Sequence, residues 1–450
     1  MVIEINTPVE RPAKIDVMTR NPDKKAEFAD RVERRNMLSG ILHGAFFQMG
    51  SAFADPYAVV PLFLAGFTES RALIGLIVSL IGALSIVPQL GMSRQIRRDP
   101  ASARPIMLIG IWTRCGVWGI IALTIMVVPS HVDWILLIFI CLVGLYSLGA
   151  GFAVLPFRRI ISETISTSRR STFFGGRLVA GGILAVLAGM VVKSVLGYKD
   201  LSWPQNYGVL FALSFASLAI AYSAMSCLRF PVETSSLSPS PLPPLRTEIG
   251  NAWRAYPILK RLIGVRLLSG GLPLVLPFLT LYATKEIGIP LAWVGIFVAM
   301  QQMFAIVANF AWIPLGNRFG TRSVILSGLG LALISLGMII CFEAAVALAL
   351  AFAFAGGAMS AMTVGFGGYV LELGTPDIRP LLNALEGTLL MPLYFMPLLG
   401  GWLADQIGYR PLVLMGSVSL LGALVLAHTL CEPRQGDSVC GPCENLPDRT

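Results

Sequence analysis

The residues of this sequence that could do chemistry are a few ionisable side chains inside long apolar runs. His43, Asp55 and Arg266 lie within such runs, and Glu386 lies near the start of another. An ionisable side chain inside a membrane helix is energetically expensive, so each of these residues is a candidate for function. A guanidinium can hold an anionic substrate through paired hydrogen bonds, and a desolvated carboxylate can exchange a proton.

Arg266 and Asp55 each keep a second, structural interpretation. Arg266 lies about two helical turns into its run, so it could bind an anion or extend its charged end to the lipid headgroups. Asp55 precedes Pro56, so it could couple protons or be an acidic residue at the end of a helix that the proline breaks. Both interpretations of each residue stay open at the level of sequence.

Other polar residues complete the candidate substrate site. His43 and Gln48 lie in the first apolar run, and Gln301 lies in the eighth. His43 could titrate near neutral pH, although a lone histidine is more often structural. Amide side chains in membrane helices often only join neighbouring helices. Arg114, in the third run, is expected to pair with a polar neighbour rather than with a ligand.

The motifs of enzymes and ATP-driven pumps are missing. The sequence holds no phosphate-binding loop, zinc motif or catalytic triad, so we predict no enzymatic activity, no cofactor and no metal. Cys440-Gly-Pro-Cys443 matches a redox tetrapeptide but lacks the strand and helix context that this motif needs. A tail without function is the preferred interpretation, and a soft-metal site that includes Cys431 is the alternative.

The composition is that of a multi-pass membrane protein. Hydrophobic residues make up 55% of the 450 residues, charged residues make up 13%, and the mean hydropathy is +0.73. A soluble domain carries about 25% charged residues. The net charge of +9 does not indicate nucleic-acid binding, because the basic residues lie in loops between the apolar runs. The lipid bilayer is therefore a predicted partner.

Twelve apolar runs are long enough to cross a bilayer as helices of about 20 residues, which predicts an all-α fold. The predicted spans are 38–64, 70–92, 105–128, 132–156, 173–196, 207–229, 260–284, 291–314, 323–342, 344–371, 381–403 and 412–431. They form two bundles of six, 37–229 and 260–431, joined by a proline-rich linker, 230–259. A cytoplasmic segment, 1–36, precedes them, and a disordered tail, 432–450, follows.

Arginines mark one face of the predicted bundle. The loops on that face, with the adjoining span ends, hold Arg94, Arg97, Arg98, Arg104, Arg158, Arg159, Arg169, Arg170 and Arg177, whereas the other loops hold only Arg71, Lys193, Lys199, Lys285 and Arg410. Cytoplasmic loops carry the excess of basic residues. We therefore predict cytoplasmic termini in the cell (inner) membrane, and a short cytoplasmic helix from Lys24 to Arg35.

The two halves of the chain repeat each other. Arg104–Gly110 aligns with Arg322–Gly328 at an offset of 322 − 104 = 218 residues, and Arg177 falls opposite Glu386 at an offset of 386 − 177 = 209. A repeat of six spans keeps the same orientation in both copies. Its axis therefore runs along the membrane normal.

Six plus six spans with a long linker resemble the major facilitator superfamily. The loop Leu315–Arg322 looks like that family's G-x-x-x-D-R-x-G-R-R loop, with Asn317 in place of the aspartate. The loop Gly91–Arg98 is a more degenerate copy, and Gly401–Pro411 resembles a stretch common between the family's last two spans. The resemblance covers about residues 37–431. It implies alternating access around a central cavity lined by spans 1, 4, 7 and 10.

The resemblance also implies where a gate would lie. In the family fold, span 11 packs beside span 2 and span 5 beside span 8, across the interface between the halves. Glu386 would then lie near Arg94, Arg97 or Arg98, and Arg177 near Asn317. We expect Glu386 and one of those arginines to form a latch that closes the cytoplasmic side, and ordinary interfacial charges are the alternative.

Together these observations predict a secondary active transporter. It would move a small organic solute, anionic or amphipathic, and export is the favoured direction. The proton is the expected coupling ion, carried by Asp55 or Glu386, and a monomer is the expected state. The alternative is a membrane scaffold or sensor that kept the fold and lost transport.

Overall fold

The computed structural model describes residues 22–130, 132–228, 253, 256–373, 382, 386, 387 and 389–432. Ten helices in this part of the chain are long and apolar enough to cross a membrane by length and composition. Span 1, whose helix begins in a polar segment, and span 11, which is described in part, fit the predicted total of twelve. The predicted all-α membrane fold is confirmed. Most of the predicted linker and nearly all of the predicted tail lie outside the described residues.

The helix bounds lie within a few residues of most predicted spans. In the N-terminal half they are Pro22–Phe53 and Val59–Leu64 (span 1), Arg71–Ala83 and Val87–Arg98 (span 2), Ala103–Val127 (span 3), Val132–Thr164 (span 4), Arg170–Gly197 (span 5) and Gln205–Ser226 (span 6). In the C-terminal half they are Ile258–Leu268 and Gly271–Leu281 (span 7), Trp293–Phe319 (span 8), Thr321–Cys341 (span 9), Ala345–Glu372 (span 10), Met391–Phe395 and Met396–Ile407 (span 11) and Tyr409–Ala427 (span 12).

Two faces of the bundle are used as reference below. The terminal face carries residues 30–36, 166–170, 320–322 and 428–432, near the two ends of the described chain. The opposite face carries residues 66–71, 198–204, 285–290 and 405–410. The sequence predicts that the terminal face is cytoplasmic.

The N-terminal segment differs from its prediction. Instead of a separate short helix, Pro22–Phe53 forms one continuous helix that extends span 1 beyond the terminal face, because no proline follows Pro22 within it. Arg169, in the turn after span 4, holds the extension through an Nη2–Oδ1 distance of 2.6 Å to Asp30. The hydrogen bond from Arg169 holds the pKa of Asp30 below its ordinary value.

Span 1 is broken between Phe53 and Val59, next to the predicted breaker Pro56. Asp55 is buried, and its Oδ1 accepts hydrogen bonds from the backbone N–H groups of Tyr57 at 2.9 Å and Ala58 at 2.8 Å. A carboxylate that accepts these otherwise unpaired N–H groups caps the helix segment that follows. The helix-end interpretation of Asp55 therefore has a direct structural basis.

The two bundles meet along two seams. Span 5 packs on span 8, and span 2 packs on span 11, as the family resemblance implied. Small residues let the backbones approach closely: a Cβ added at Gly189 of span 5 would lie 2.7 Å from Ala299 of span 8. Gly75 of span 2 is likewise in close contact with the backbone of Pro397 in span 11.

Single glycines make the tight turns of the C-terminal half. Gly320 joins spans 8 and 9 with φ +84°, and Gly408 joins spans 11 and 12 with φ +80°. Only glycine adopts such values without steric cost. At the first turn, Glu432 accepts a hydrogen bond from the Arg322 N–H at 3.1 Å, which ties the end of span 12 to this loop.

Candidate functional site

The halves are bound to each other at the opposite face. Asp405 of span 11 accepts hydrogen bonds from the backbone N–H groups of Arg71 at 3.0 Å and Ala72 at 2.9 Å. It thereby caps the first turn of span 2 from the other half, where a negative charge is favourable. We call Arg71, Asp405 and their partners Tyr409 and Glu286 the opposite-face lock.

Arg71 makes most of the side-chain contacts of the lock. Its Nη1 donates to the Ala404 carbonyl at 2.8 Å, and its Nε donates to the Tyr409 hydroxyl at 3.0 Å. Its Nη2 lies 3.4 Å from Glu286 Oε1. Deeper in the same seam, the Leu398 N–H donates to Ser79 Oγ at 3.0 Å, and Ser79 is buried. Polar contacts thus join spans 2 and 11 from the surface to the interior.

The same spans are open toward the terminal face. The second helix of span 2, Val87–Arg98, packs on span 4 of its own half. Val87 is 59% exposed, and a Cβ added at Gly91 or at Gly387 of span 11 would meet no atom of the described residues within 4 Å. On span 5, a Cβ at Gly175 would likewise meet no described atom, whereas Gly189 is in close contact with span 8. The halves therefore close at the opposite face and part toward the terminal face.

A cavity of about 150 Å³ lies between the halves. Tyr57 lines it from the N-terminal half, and span 7 supplies Arg266 and Ser269 next to its kink at Ser269–Gly270. The rest of the wall is mostly apolar and rich in methionine: Leu272, Pro273, Leu276, Met359, Met362, Thr363 and Leu393. Methionine side chains adapt to irregular apolar ligands. The cavity suits a compound with an apolar body.

Arg266 is paired with Glu386 at the cavity wall. Arg266 Nε lies 3.6 Å from Glu386 Oε1, and the guanidinium also lies 4.7 Å from the centre of the Phe366 ring. The Arg266 side chain is 26% exposed and that of Glu386 is 12% exposed. Removing one partner of such a buried pair strongly destabilises the protein, because the other charge stays buried without compensation. The sequence singled out both residues but did not predict that they meet.

His43 and Arg177 form a second polar group, inside the N-terminal half. Arg177 Nη1 donates to the Gly40 carbonyl at 2.6 Å and lies 2.9 Å from His43 Nδ1. Since arginine only donates, His43 must be neutral with its Nδ1 as acceptor. The His43 ring packs against Phe47, Phe157 and Tyr222, each centroid within 5.9 Å.

Arg114 joins this group from span 3. Its Nη2 donates to the Tyr146 hydroxyl at 2.6 Å, so it has the polar neighbour that the sequence led us to expect. Its guanidinium lies 5.2 Å from the centre of the Phe47 ring, which stacks on His43. His43, Arg114 and Arg177, with their aromatic neighbours, are called the N-terminal cationic cluster below.

The two glutamines lie in helix contacts. Gln48 of span 1 is half-buried against Gly181 of span 5. Gln301 of span 8 is buried, and its Nε2 lies 4.0 Å from the sulfur of Met359, a residue of the cavity wall. Gln301 therefore stands one layer behind the cavity. Its Oε1 has no hydrogen-bond partner among the described residues.

In the described part of the chain, Arg177 and Glu386 contact residues of their own halves. Arg177 points to Gly40 and His43 of its own half and not to Asn317 of span 8. Glu386 pairs with Arg266 of its own half. The side chains of Arg94, Arg97 and Arg98 lie outside the described residues, so the latch with Glu386 stays a prediction. A latch of the terminal face is expected to be broken when that face is open.

The sequence reasoning missed two features of the site. Arg71 and Asp405 were named only as part of loop composition and of the Gly401–Pro411 stretch, and nothing in either segment alone pairs them. The cationic cluster draws on spans 1, 3 and 5, and no local pattern predicts that these residues share a neighbour. The soft-metal interpretation of the tail stays a prediction, because Cys440 and Cys443 lie outside the described residues.

Comparison with known proteins agrees with this architecture. Residues 262–439 match the family model of the Major Facilitator Superfamily. No curated protein sequence matches the chain.

Three solved transporters share the fold across both halves. A mutant form of the nucleoside transporter NupG superposes with a TM-score of 0.68 at 14% identity, over 89% of this chain and 100% of that chain. The D-xylose–proton symporter superposes with a TM-score of 0.66 at 17% sequence identity, over 90% of this chain and 98% of the symporter. A bacterial homologue of the iron transporter ferroportin gives 0.64 at 14% identity in its inward-facing state, over 89% and 98%. In its outward-facing state the ferroportin homologue gives 0.58 at 15% identity, over 89% and 99%.

The family match in the C-terminal half and the shared fold of the whole define a membrane transport protein rather than an enzyme. Over residues 262–439 the chain matches the major facilitator superfamily, the family that its loops and repeat resemble. The matches do not single out one subfamily.

Proposed function

We propose that this protein is a secondary active transporter that moves a small organic solute across the cell membrane by alternating access. One observation carries the proposal: the two halves are locked at the opposite face, parted at the terminal face, and enclose a cavity between them. A bundle that rocks about a central site must be closed on one side at a time. The greater similarity to the inward-facing ferroportin homologue supports assigning the terminal face to the cytoplasm.

The Arg266–Glu386 pair is the proposed coupling element. Glu386 balances the charge of Arg266 at the cavity wall. When Glu386 takes up a proton, Arg266 loses its counter-ion and the cavity becomes more positive. Protonation and substrate binding would thus be linked through a single residue pair. The D-xylose–proton symporter, which shares this fold, supports proton coupling here. Asp55 is the other proposed proton site, although its capping role explains its burial.

Direction and assembly are also part of the proposal. Export of an amphipathic compound fits a cavity whose wall is mostly apolar and that opens to the terminal face. A monomer suffices, because both halves of the cavity come from one chain. The termini are proposed to be cytoplasmic, on the arginine distribution of the loops.

Cysteine labelling in proteoliposomes tests alternating access without knowing the substrate. In a variant without the free native cysteines, Gly91→Cys reports on the open side of span 2 and Ser79→Cys on the closed seam. A transporter should label at Gly91→Cys at rest, and at Ser79→Cys once the opposite-face lock is weakened. A scaffold or sensor, the second candidate, should never label at Ser79→Cys. Constant protection of Ser79→Cys in every lock variant would therefore exclude the transporter.

A further inference from the structure

The N-terminal cationic cluster holds two arginines that contact no carboxylate among the described residues. Every bond of Arg177 to the described residues goes to a neutral group: the Gly40 carbonyl, the His43 ring and the faces of Phe157 and Phe173. Arg114 is bonded by the Tyr146 hydroxyl and covered by the Phe47 and Tyr146 rings. Two positive charges inside a membrane bundle are costly when no anion compensates them.

The structure holds these charges in place. Gly44 provides the room for Arg177, since a Cβ there would lie 2.9 Å from the Arg177 Cγ. Gly149 does the same for Arg114, with a corresponding distance of 3.0 Å. Both arginines are half-buried. Packing against the two glycines thus fixes their positions.

Several donors of the cluster have no acceptor. Arg114 Nε and the Tyr222 hydroxyl are buried and lack a partner among the described residues. Arg177 uses Nη1 alone for its two bonds, which leaves Nε and Nη2 without an acceptor in the described part of the chain. His43, held as acceptor toward Arg177, carries its remaining proton on Nε2. Unused N–H and O–H groups around two cations are the donor set that an oxyanion needs.

Arg266 presents a different arrangement in the other half. Its charge is balanced by Glu386, so the net charge at the cavity wall there is zero. The sequence made Arg266 one candidate for anion binding, but the described residues place two cations without a carboxylate partner in the N-terminal half.

We propose that the N-terminal cationic cluster binds the oxyanion group of an organic substrate, through Arg177 and Arg114. This inference rests on the proposed transport function and names its substrate class: organic anions with an apolar body. The rings of Phe47 and Phe157, both half-buried, flank the anion. An anion bound here and the proton on Glu386 occupy different halves, so both can be present at once.

The test uses the purified full-length protein in detergent and three probes: 1-naphthoate, its uncharged counterpart 1-naphthamide, and inorganic phosphate. Saturable thermal stabilisation gives the Kd of each probe. We expect 1-naphthoate to stabilise the protein and 1-naphthamide to have little effect. Arg177→Gln and Arg114→Gln should each raise the Kd of 1-naphthoate at least about tenfold, the loss typical of a charged hydrogen-bond partner.

Arg318→Gln is the matched control. Arg318 is exposed on the other half, where its guanidinium lies over Phe319, and its substitution should leave the Kd unchanged. If a glutamine variant fails to fold, Arg177→Lys and Arg114→Lys replace it. Each keeps the charge but loses the planar fork, and should raise the Kd by a smaller factor.

Three results would overturn the inference: equal stabilisation by 1-naphthamide, no stabilisation by 1-naphthoate, or an unchanged Kd in both arginine variants. If phosphate binds as tightly as 1-naphthoate, then the cluster does not select organic anions, and that part of the inference is wrong. The cysteine-labelling experiment separates this inference from the proposed function. Alternating labelling without anion binding would reject the anion site alone, and anion binding without alternation would reject transport alone.

Discussion

At the residue scale, the ionisable side chains that the sequence singled out have separated into distinct roles. Asp55 caps a helix segment, and Arg266 balances Glu386. His43 accepts from Arg177 inside an aromatic shell. Each role follows from the partner the side chain meets, and the partners come from other spans in all but the first case. The following two predictions concern these individual residues.

Asp55→Asn should fold and unfold like the parent protein. Both backbone N–H groups bond to Oδ1, and an asparagine carbonyl oxygen can accept them in the same place. Asp55→Ala should lose about 1 kcal/mol of unfolding free energy, the usual worth of a cap. Thermal unfolding in detergent measures both. If Asp55→Asn keeps its stability but changes the labelling of Gly91→Cys, then Asp55 controls the conformational equilibrium and the proton-site interpretation regains support.

Arg266 and Glu386 should be energetically coupled. Arg266→Gln leaves a buried carboxylate without its cation, and Glu386→Gln leaves the arginine without its anion, so each should destabilise the protein. The double variant should recover part of the loss, with a coupling of about 1–3 kcal/mol. A double-mutant cycle on the unfolding midpoint measures this. Strictly additive effects would mean that Glu386 finds its partner elsewhere, such as among Arg94, Arg97 and Arg98.

At the element scale, helix ends and helix contacts decide the conformation. Asp405 caps span 2 across the opposite-face seam, and small residues bring span 5 against span 8. Both features stabilise closure of one face only. The equilibrium between the state that is open at the terminal face and the state that is open at the opposite face should therefore change when these contacts are altered.

Asp405→Ala should open the opposite face. The substitution removes two charge-assisted hydrogen bonds at an exposed position, worth about 1–2 kcal/mol, or roughly 5- to 30-fold in the equilibrium. Labelling of Ser79→Cys should rise accordingly. The matched control is Glu343→Gln, because Glu343 pairs with Arg410 on the same face but within one half. Equal effects of the two substitutions would show that Asp405 is an ordinary surface charge.

Gly189→Val should also open the opposite face, through the seam between spans 5 and 8. Its side chain would press on Ala299, where even a Cβ lies 2.7 Å away, and would force spans 5 and 8 apart. Gly116→Val is the control, since a Cβ at Gly116 would meet no described atom within 4 Å. Impermeant thiol labelling of Ser79→Cys reads out both variants. An effect that is no greater for Gly189→Val than for Gly116→Val would contradict close packing at this seam.

At the scale of the whole molecule, the repeat and the loop charges set how the protein sits in a membrane. Both halves have their arginine-rich loops on one side, and the described parts of spans 2, 5 and 11 separate toward that side. The direction of transport depends on whether this side faces the cytoplasm or the outside of the cell.

Reporter fusions should place Ser240 and the C-terminus in the cytoplasm, and Lys199 and Lys285 outside. The reason is the excess of arginine on the terminal face, which follows the positive-inside rule. The four positions serve as controls for one another, because two of them must report the cytoplasmic side and the other two the external side. An external Ser240 would reverse the proposed inward opening and with it the export direction.

The sequence by itself predicted the membrane class, most of the spans and the family resemblance, because these depend on composition, length and local patterns. It also found the break in span 1, since Pro56 acts on its own backbone. It could not find the opposite-face lock, the Arg266–Glu386 pair or the cationic cluster. Their members are up to 338 residues apart, as with Arg71 and Tyr409, and meet only after the bundles assemble. Which side chain balances which charge is decided by packing between spans, and that information is in the tertiary structure alone.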